Sequence, residues 1–154
     1  MENLEKDCFR IERIDSLTDT LKGELIKFWE KSVRSSHHFL SEENLMYYRS
    51  RIMDTYFQAV ELYVIRKTHI VAFMGLSNDM IEMLFVLPME KGKGYGTALL
   101  NYAFEEKHIR KIDVNEENAE AYRFYLRRGY QVIGRDDMDA DGKPYPIAHL
   151  ERYN

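Results

Sequence analysis

The chain has 154 residues, of which 45% are hydrophobic and 31% charged, and its formal net charge at pH 7 is −4. This length and composition predict a single domain over residues 1–154 with a hydrophobic core of its own. The acidic balance argues against nonspecific nucleic-acid binding, which requires a basic surface.

The N-terminal segment, residues 1–7, carries three acidic residues, and no apolar run follows it. We therefore expect neither a signal peptide nor a membrane span. Cys8 is the only cysteine, so no internal disulfide can form, which fits a cytoplasmic protein. Residues 8–14 alternate between apolar and polar side chains and predict a first strand.

Two amphipathic helices follow, with apolar side chains at helical spacing. The first is predicted over residues 17–33, with Asp15 or Ser16 as its N-cap, and the second from Ser41 to about residue 59. Three strands come next, two of which form a hairpin. Their predicted ranges are 61–66, 70–77 and 80–87.

The third of these strands ends at Pro88 and leads into a glycine-rich turn with glycines at positions 92, 94 and 96. A helix is predicted from Thr97 to Phe104, because its apolar residues fall on one face. A bare backbone that leads into a helix N-terminus is a phosphate-binding arrangement, and Lys91 and Lys93 add positive charge.

The rest of the chain alternates between strand and helix, which predicts a mixed α/β sheet. A helix that begins at Asn118 is expected to end at Gly129, a typical C-terminal glycine. The predicted strands cover residues 111–115, residues 130–135 and a last segment that ends at Leu150.

The spacing of the glycines distinguishes between the known phosphate-binding motifs. A Walker A loop is excluded because no lysine follows Gly96. A dinucleotide-binding fingerprint is excluded because its third glycine would fall on Thr97 or Leu99. The pattern Arg/Gln-x-x-Gly-x-Gly/Ala does fit the segment from Lys91 to Gly96, with lysine in the first position.

This segment resembles the acyl-CoA pyrophosphate loop of the GNAT family, the GCN5-related N-acetyltransferases. Downstream, residues 118–130 resemble that family's pattern Asn-x-x-Ala-x-x-Phe-Tyr-x-x-x-Gly-Phe/Tyr, in the family's order. The resemblance covers residues 70–150 well and the N-terminal part loosely. It implies the element order β-α-α-β-β-β-α-β-α-β-β and transfer of an acetyl group from acetyl-CoA to a primary amine.

The resemblance also implies how the co-substrate binds. The pantetheine arm would run along the predicted strand over residues 80–87, and the pyrophosphate would bind the glycine-rich segment. Asn118 would make a further contact. The implied cofactor-binding residues are Leu84, Phe85, Val86, Lys91, Gly92, Lys93, Gly94, Tyr95, Gly96, Thr97, Asn118 and Tyr125.

Two catalytic roles are expected. The resemblance makes Tyr125 the acid that protonates the leaving thiolate, with Tyr122 as an internal rival. Glu82 is the candidate base that deprotonates the amine, and Asp113 or water is the alternative. Transfer is expected to be direct, in a ternary complex, because no base is indicated near Cys8.

The acceptor is a small molecule or a protein that carries an amine, and the sequence does not name it. The resemblance places His37, His38 and Phe39 in a loop that lines the acceptor cleft, whereas a metal site has no supporting ligand spacing. We expect a monomer or homodimer that binds neither membrane nor nucleic acid. The alternative function is a non-catalytic acyl-CoA sensor of the same fold.

Overall fold

The computed structural model describes residues 9–153, so Cys8, the first residue of the predicted first strand, lies outside the described residues. Within that range a single sheet has seven strands, namely β1 (Ile11–Arg13), β2 (Glu61–Arg66), β3 (Ile70–Leu76), β4 (Met80–Val86), β5 (Lys111–Asn115), β6 (Tyr130–Asp136) and β7 (Ile147–Arg152). Four α-helices pack on it, namely α1 (Asp19–Ser36), α2 (Glu42–Asp54), α3 (Tyr95–Glu105) and α4 (Ala119–Arg127). The predicted mixed α/β class and element order are confirmed.

The strand order in the sheet is β1-β2-β3-β4-β5-β7-β6. Only the central pair, β4 and β5, is parallel; the other pairs are antiparallel. This pair is short, because it includes only Met80 opposite Lys111 and Ile81 opposite Ile112. Beyond these pairs the two strands separate, and among residues 9–153 the edge of β4 that faces β5 has no strand partner from residue 82 to residue 86.

A β-bulge lies at the point where the two strands separate. Gly75 of β3 pairs with Met83 and Leu76 pairs with Ile81, so Glu82 is left without a partner on β3. The extra residue changes the alternation of side chains along β4. Ile81 belongs to the core on one side of the sheet, whereas Met83 belongs to the core on the other side.

The core has two parts because helices cover both sides of the sheet. The apolar residues of α3 and α4 form one part with the strands, and those of α1 and α2 form the other. Buried side chains such as Leu99 of α3 and Leu25 of α1 have no measurable exposure. This two-sided packing is typical of a sheet with a parallel centre.

Several predicted helix ends are shifted. Thr18, rather than Asp15 or Ser16, caps α1, and its Oγ1 accepts a hydrogen bond from Leu21 N. Ser41 caps α2 as predicted. The α2 helix ends at Asp54, before the predicted residue 59, because Thr55 leaves the helical conformation and Tyr56–Gln58 form a separate 3₁₀ turn.

Candidate active site

The glycine-rich segment forms a tight turn between a short 3₁₀ helix, Pro88–Glu90, and α3. Gly94 is the residue before α3, with a left-handed φ of 93° and no side chain to cap the helix. A Cβ atom on Gly94 would lie 3.3 Å from the ring of Phe9, and one on Gly96 would lie 3.3 Å from the ring of Phe124. The backbone N–H groups at the start of α3 are therefore left for a ligand, which is the arrangement that binds phosphate.

A cavity of about 560 Å³ extends from this turn into the gap between β4 and β5. The end of α1, the start of α3 and one side of α4 complete its walls. Of the residues predicted from the sequence, those that line it are His37, Glu82, Leu84, Phe85, Val86, Lys91, Gly92, Gly94, Tyr95, Gly96, Thr97, Asn118 and Tyr125.

Three of the predicted residues do not line the cavity. Lys93 lies outside, with its Nζ 3.1 Å from Glu90 Oε1. His38 is exposed, and the ring of Phe39 packs between the rings of His37 and Tyr145. Their expected contacts with ligands therefore have no support from the cavity, whereas those of the lining residues stay predictions.

The α4 helix presents Tyr125 to the cavity. Asn118 caps the helix, and its Oδ1 accepts a hydrogen bond from Ala121 N. Tyr125 lies about two turns later and is only 6% exposed, with its ring 5.8 Å from that of Tyr130. Burial raises the pKa of the Tyr125 phenol, so the hydroxyl keeps its proton at neutral pH. Tyr122, the rival acid, is absent from the lining.

The two candidate bases have different surroundings. Glu82 is exposed, and its Oε2 accepts a hydrogen bond of 2.8 Å from Ser77 Oγ. Asp113 also lines the cavity, but its Oδ1 lies 2.6 Å from His149 Nδ1, and the other ring nitrogen of His149 lies 2.6 Å from Asp136 Oδ2. Asp113 is therefore already engaged by a histidine, whereas the Glu82 carboxylate has a neutral partner.

The His149 contact has a consequence for stability. Hydrogen bonds first to Asp113 and then to Asp136 raise the pKa of His149 above its ordinary value of about 6.5. The folded state then binds a proton more tightly than the unfolded state, so this stabilisation is fully present below about pH 6.5 and is lost as the pH rises through the folded pKa.

We therefore expect His149→Gln to lower the free energy of unfolding by about 1 kcal/mol at pH 5.5, because the group is partly exposed, and by less at pH 9. Urea unfolding at the two pH values measures the difference. His69→Gln, at an exposed histidine in the turn between β2 and β3, is the control. An equal loss at both pH values would contradict the assignment.

Sequence reasoning missed two cations near the glycine-rich turn. Arg127 and Arg128, at the end of α4, line the cavity, and Arg128 Nε donates a hydrogen bond to Thr97 Oγ1 at 2.9 Å. Lys91 Nζ lies 2.8 Å from Glu120 Oε1. The sequence offered one signal for them: both arginines lie within residues 118–130, the motif that contains Tyr125.

The loop between β6 and β7 is held against α2. Asn44 Nδ2 donates a hydrogen bond to Tyr145 Oη at 2.6 Å, and the Tyr48 hydroxyl donates one to Asp139 Oδ2. Asp141 accepts from the Tyr56 hydroxyl at 3.2 Å. These contacts place the loop beside the segment that contains His37 and Phe39, at the end of α1.

Comparison with known proteins places this geometry in a family. Residues 58–132 match the family described as "Acetyltransferase (GNAT) domain". The chain is 35% identical over 132 residues to the Escherichia coli (strain K12) protein named peptidyl-lysine N-acetyltransferase YjaB, which covers 82% of this chain and 87% of that protein. The chain belongs to the GNAT family.

Solved structures agree with the fold of this GNAT domain. The solution structure of apo-form YjaB from Escherichia coli is 31% identical, with a TM-score of 0.84, and the match covers 94% of this chain and 97% of that one. The PaiA N-acetyltransferase from Thermoplasma acidophilum, solved in complex with coenzyme A, is 17% identical with a TM-score of 0.69, and the match covers 94% and 99% of the two chains. The second likeness concerns the fold alone.

The predicted family and the predicted class of enzyme, an acetyl-CoA-dependent N-acetyltransferase, are thus confirmed. The alternative of a non-catalytic sensor is not favoured, because the curated relatives are named as N-acetyltransferases. Between residues 9 and 153, none of the helices is long and apolar enough to cross a membrane. The predicted cytoplasmic location and the monomeric or dimeric state stay predictions.

Proposed function

We propose that this GNAT domain transfers the acetyl group of acetyl-CoA directly to the side-chain amine of a lysine in a protein or peptide. The observation that carries the proposal is one continuous cavity that joins the glycine-rich turn, the gap between β4 and β5, and Tyr125. Lysine as the acceptor is supported by the name of the relative that is 35% identical.

The donor half of the cavity offers backbone N–H groups and cations to the pyrophosphate of CoA, and the edge of β4 to its pantetheine arm. The pyrophosphate binds the N–H groups at Gly94 and the first turn of α3, beside the cations Lys91 and Arg128. The pantetheine arm lies along residues 84–86 of β4, whose edge towards β5 has no strand partner in the described part of the chain. The amide groups of the pantetheine arm then take the place of a neighbouring strand and form hydrogen bonds with the backbone of β4.

The catalytic half contains a proton donor and a proton acceptor. Tyr125 keeps its proton and donates it to the sulfur that leaves from CoA. Glu82, at the bulge, removes a proton from the lysine ammonium, which has a reference pKa of about 10.4. CoA carries the acyl group, and the protein contributes binding, orientation and electrostatics.

An acceptor panel tests the proposal. Purified protein is incubated with acetyl-CoA and with lysine peptides, free amino acids, polyamines and aminoglycosides, and the release of CoA thiol is measured. We expect lysine peptides to be acetylated fastest, with the product located by mass spectrometry. Turnover restricted to a small-molecule amine would overturn the choice of acceptor and leave the acyl transfer itself in place.

The base assignment makes its own prediction. Glu82→Gln keeps the size of the side chain and the contact with Ser77 but removes the carboxylate, so kcat at pH 7 is expected to fall about tenfold while acetyl-CoA affinity is unchanged. Rates measured from pH 6 to pH 10 should recover as more of the acceptor becomes neutral. Glu105→Gln, an exposed position on α3, is the control. An unchanged pH profile in Glu82→Gln, together with an altered one in Asp113→Asn, would move the role to Asp113.

A further inference from the structure

The C-terminal end of α1 places three polar side chains on the cavity wall, Ser32, Ser36 and His37. Ser32 is 6% exposed, and its Oγ is buried without a hydrogen-bond partner among the described residues. A buried hydroxyl without a partner is uncommon, because its desolvation is not compensated. This part of the wall is therefore equipped to contact a polar ligand inside the cavity.

Two hydrogen bonds determine which nitrogen of His37 carries the proton. Ser36 Oγ donates to the carbonyl oxygen of Ser32 at 2.9 Å and lies 2.7 Å from His37 Nδ1. The Ser36 hydroxyl has one proton, and it already donates that proton in the hydrogen bond to the Ser32 carbonyl oxygen. In the second contact the Ser36 oxygen is therefore the acceptor, and His37 Nδ1 carries the proton and donates. The lone pair of the neutral ring is then on Nε2, which has no hydrogen-bond partner within residues 9–153.

The ring is neutral at physiological pH. Burial, followed by the positive charge of Lys91 and that of His38, lowers the pKa of His37 to about 4. Two acidic side chains that also line the cavity are paired with lysines: Glu90 lies 3.3 Å from Lys67 Nζ, and Glu120 lies 2.8 Å from Lys91 Nζ. A half-buried neutral imidazole with a free lone pair is a proton acceptor that the proposed function has not used.

The chemistry of acetyl transfer requires a second proton acceptor. The amine enters as R–NH₃⁺ and leaves as R–NH–CO–CH₃, so its nitrogen loses two protons while the sulfur gains one. Glu82 removes the first proton before attack. The second N–H bond breaks in the tetrahedral adduct, whose nitrogen is more acidic than the free ammonium because the new carbon carries oxygen and sulfur.

We propose that His37 Nε2 takes this second proton from the tetrahedral adduct. The N–H bond of the adduct breaks and an Nε2–H bond forms, while the C–S bond breaks and the proton of Tyr125 passes to sulfur. The imidazolium and the protonated Glu82 then each release a proton to water, and the Tyr125 phenolate regains one from water, so one proton is released per turnover. Ser36 is a positioning residue, because its oxygen fixes the tautomer that leaves Nε2 free. The inference rests on the proposed acyl transfer, whichever amine is the acceptor.

Binding of acetyl-CoA should make His37 a stronger base. Lys91 is the charged group that contributes most to lowering the pKa of His37, and it lies on the turn proposed to bind the pyrophosphate. A pyrophosphate beside Lys91 opposes that positive charge, so the pKa of His37 is expected to rise in the complex. The proton acceptor would thus strengthen only once the acyl donor is present.

The tautomer can be measured without any turnover. Long-range ¹H–¹⁵N spectra of the ¹⁵N-histidine protein at pH 7 should show Nδ1 of His37 protonated and Nε2 bare, and addition of CoA should raise the pH at which the ring titrates. Assignment uses the loss of the signal in His37→Gln. A protonated Nε2 at pH 7, or a titration that CoA does not move, would overturn the proposal.

Kinetics supply the second test. His37→Gln keeps a hydrogen-bond acceptor near Nε2 but takes up no proton, so kcat should fall about tenfold, with water partly replacing the ring, while the Kd of acetyl-CoA is unchanged. The acid limb of the pH–kcat profile that belongs to His37 should disappear. His69→Gln is the matched control, because its Nδ1 also lies near a neighbouring hydroxyl, 3.1 Å from Thr68 Oγ1, but outside the cavity.

Ser36→Ala keeps the His37 imidazole, so it still tests the role of His37 if His37→Gln does not fold. Without the oxygen that accepts from Nδ1, the spectra should show a mixture of tautomers and kcat should fall severalfold. Parent kcat in either variant would overturn the role of His37. Failure of the lysine proposal is a different result, the absence of peptide acetylation by the parent protein while another amine is accepted.

Discussion

Tyr125→Phe is expected to lower kcat about 10²-fold or more and to change the affinity for acetyl-CoA little. The substitution keeps the ring that packs 5.8 Å from Tyr130 and removes only the hydroxyl. Aminolysis of a thioester expels a thiolate, and a donor already in place stabilises the negative charge as it forms. Because burial raises the pKa of Tyr125, the hydroxyl stays protonated across the working pH range.

The experiment combines steady-state rates with calorimetry of acetyl-CoA binding. Tyr122→Phe is the matched control, since Tyr122 lies less than one turn away on the same helix and is absent from the cavity lining. Parent turnover in Tyr125→Phe with loss of turnover in Tyr122→Phe would show an error of one helical turn. Parent turnover in both variants would remove the acid from the mechanism.

Gly94→Asp is expected to weaken acetyl-CoA binding by well over tenfold, about 1.4 kcal/mol or more. A carboxylate at the start of α3 would place negative charge where the pyrophosphate binds. The substitution also brings backbone strain, because φ is 93° and the new Cβ would lie 3.3 Å from the Phe9 ring. Calorimetry on the folded variant measures the affinity.

Gly142→Asp separates strain from charge. Gly142 has a similar φ of 77°, and a Cβ there meets nothing within 4 Å. It lies in the loop between β6 and β7, away from the turn that contains Gly94, so we expect a comparable backbone penalty with parent affinity for acetyl-CoA. Equal affinity losses in both variants would mean that strain, rather than the position of the charge, explains the result, and would remove the turn from the binding site.

The sequence predicts the elements that form the donor half of the candidate site well, because their signals are local. The strand that ends at Val86, the glycine-rich turn and the start of α3 are adjacent in the chain, and the motif from Asn118 to Gly129 is one helix with its caps. The predicted strand at residues 111–115 agrees with β5 at both ends. Spacing of glycines and apolar residues is sufficient for features of this kind.

The side-chain contacts around the loop between β6 and β7 and around Asp113 were not predicted, because they join distant parts of the chain. Asn44 and Tyr145 are 101 residues apart, and Asp113 meets His149 across 36 residues. Pairing of β5 with β7 sets the second contact, and because the two strands are not consecutive in the chain, no hairpin turn fixes their register in advance. The bulge at Glu82 is equally invisible, since an apolar run reads the same with or without an extra residue.

That bulge lets β4 lose one residue at a single place. Deletion of Glu82 would leave a regular strand in which Ile81 and Met83 are neighbours, and neighbours in a strand face opposite sides of the sheet, as Ile81 and Met83 already do. Deletion of a residue between Met83 and Val86 would instead move every later side chain of β4 to the other side of the sheet. We therefore expect the fold to survive a one-residue deletion at position 82 and to be disrupted by a one-residue deletion at Leu84.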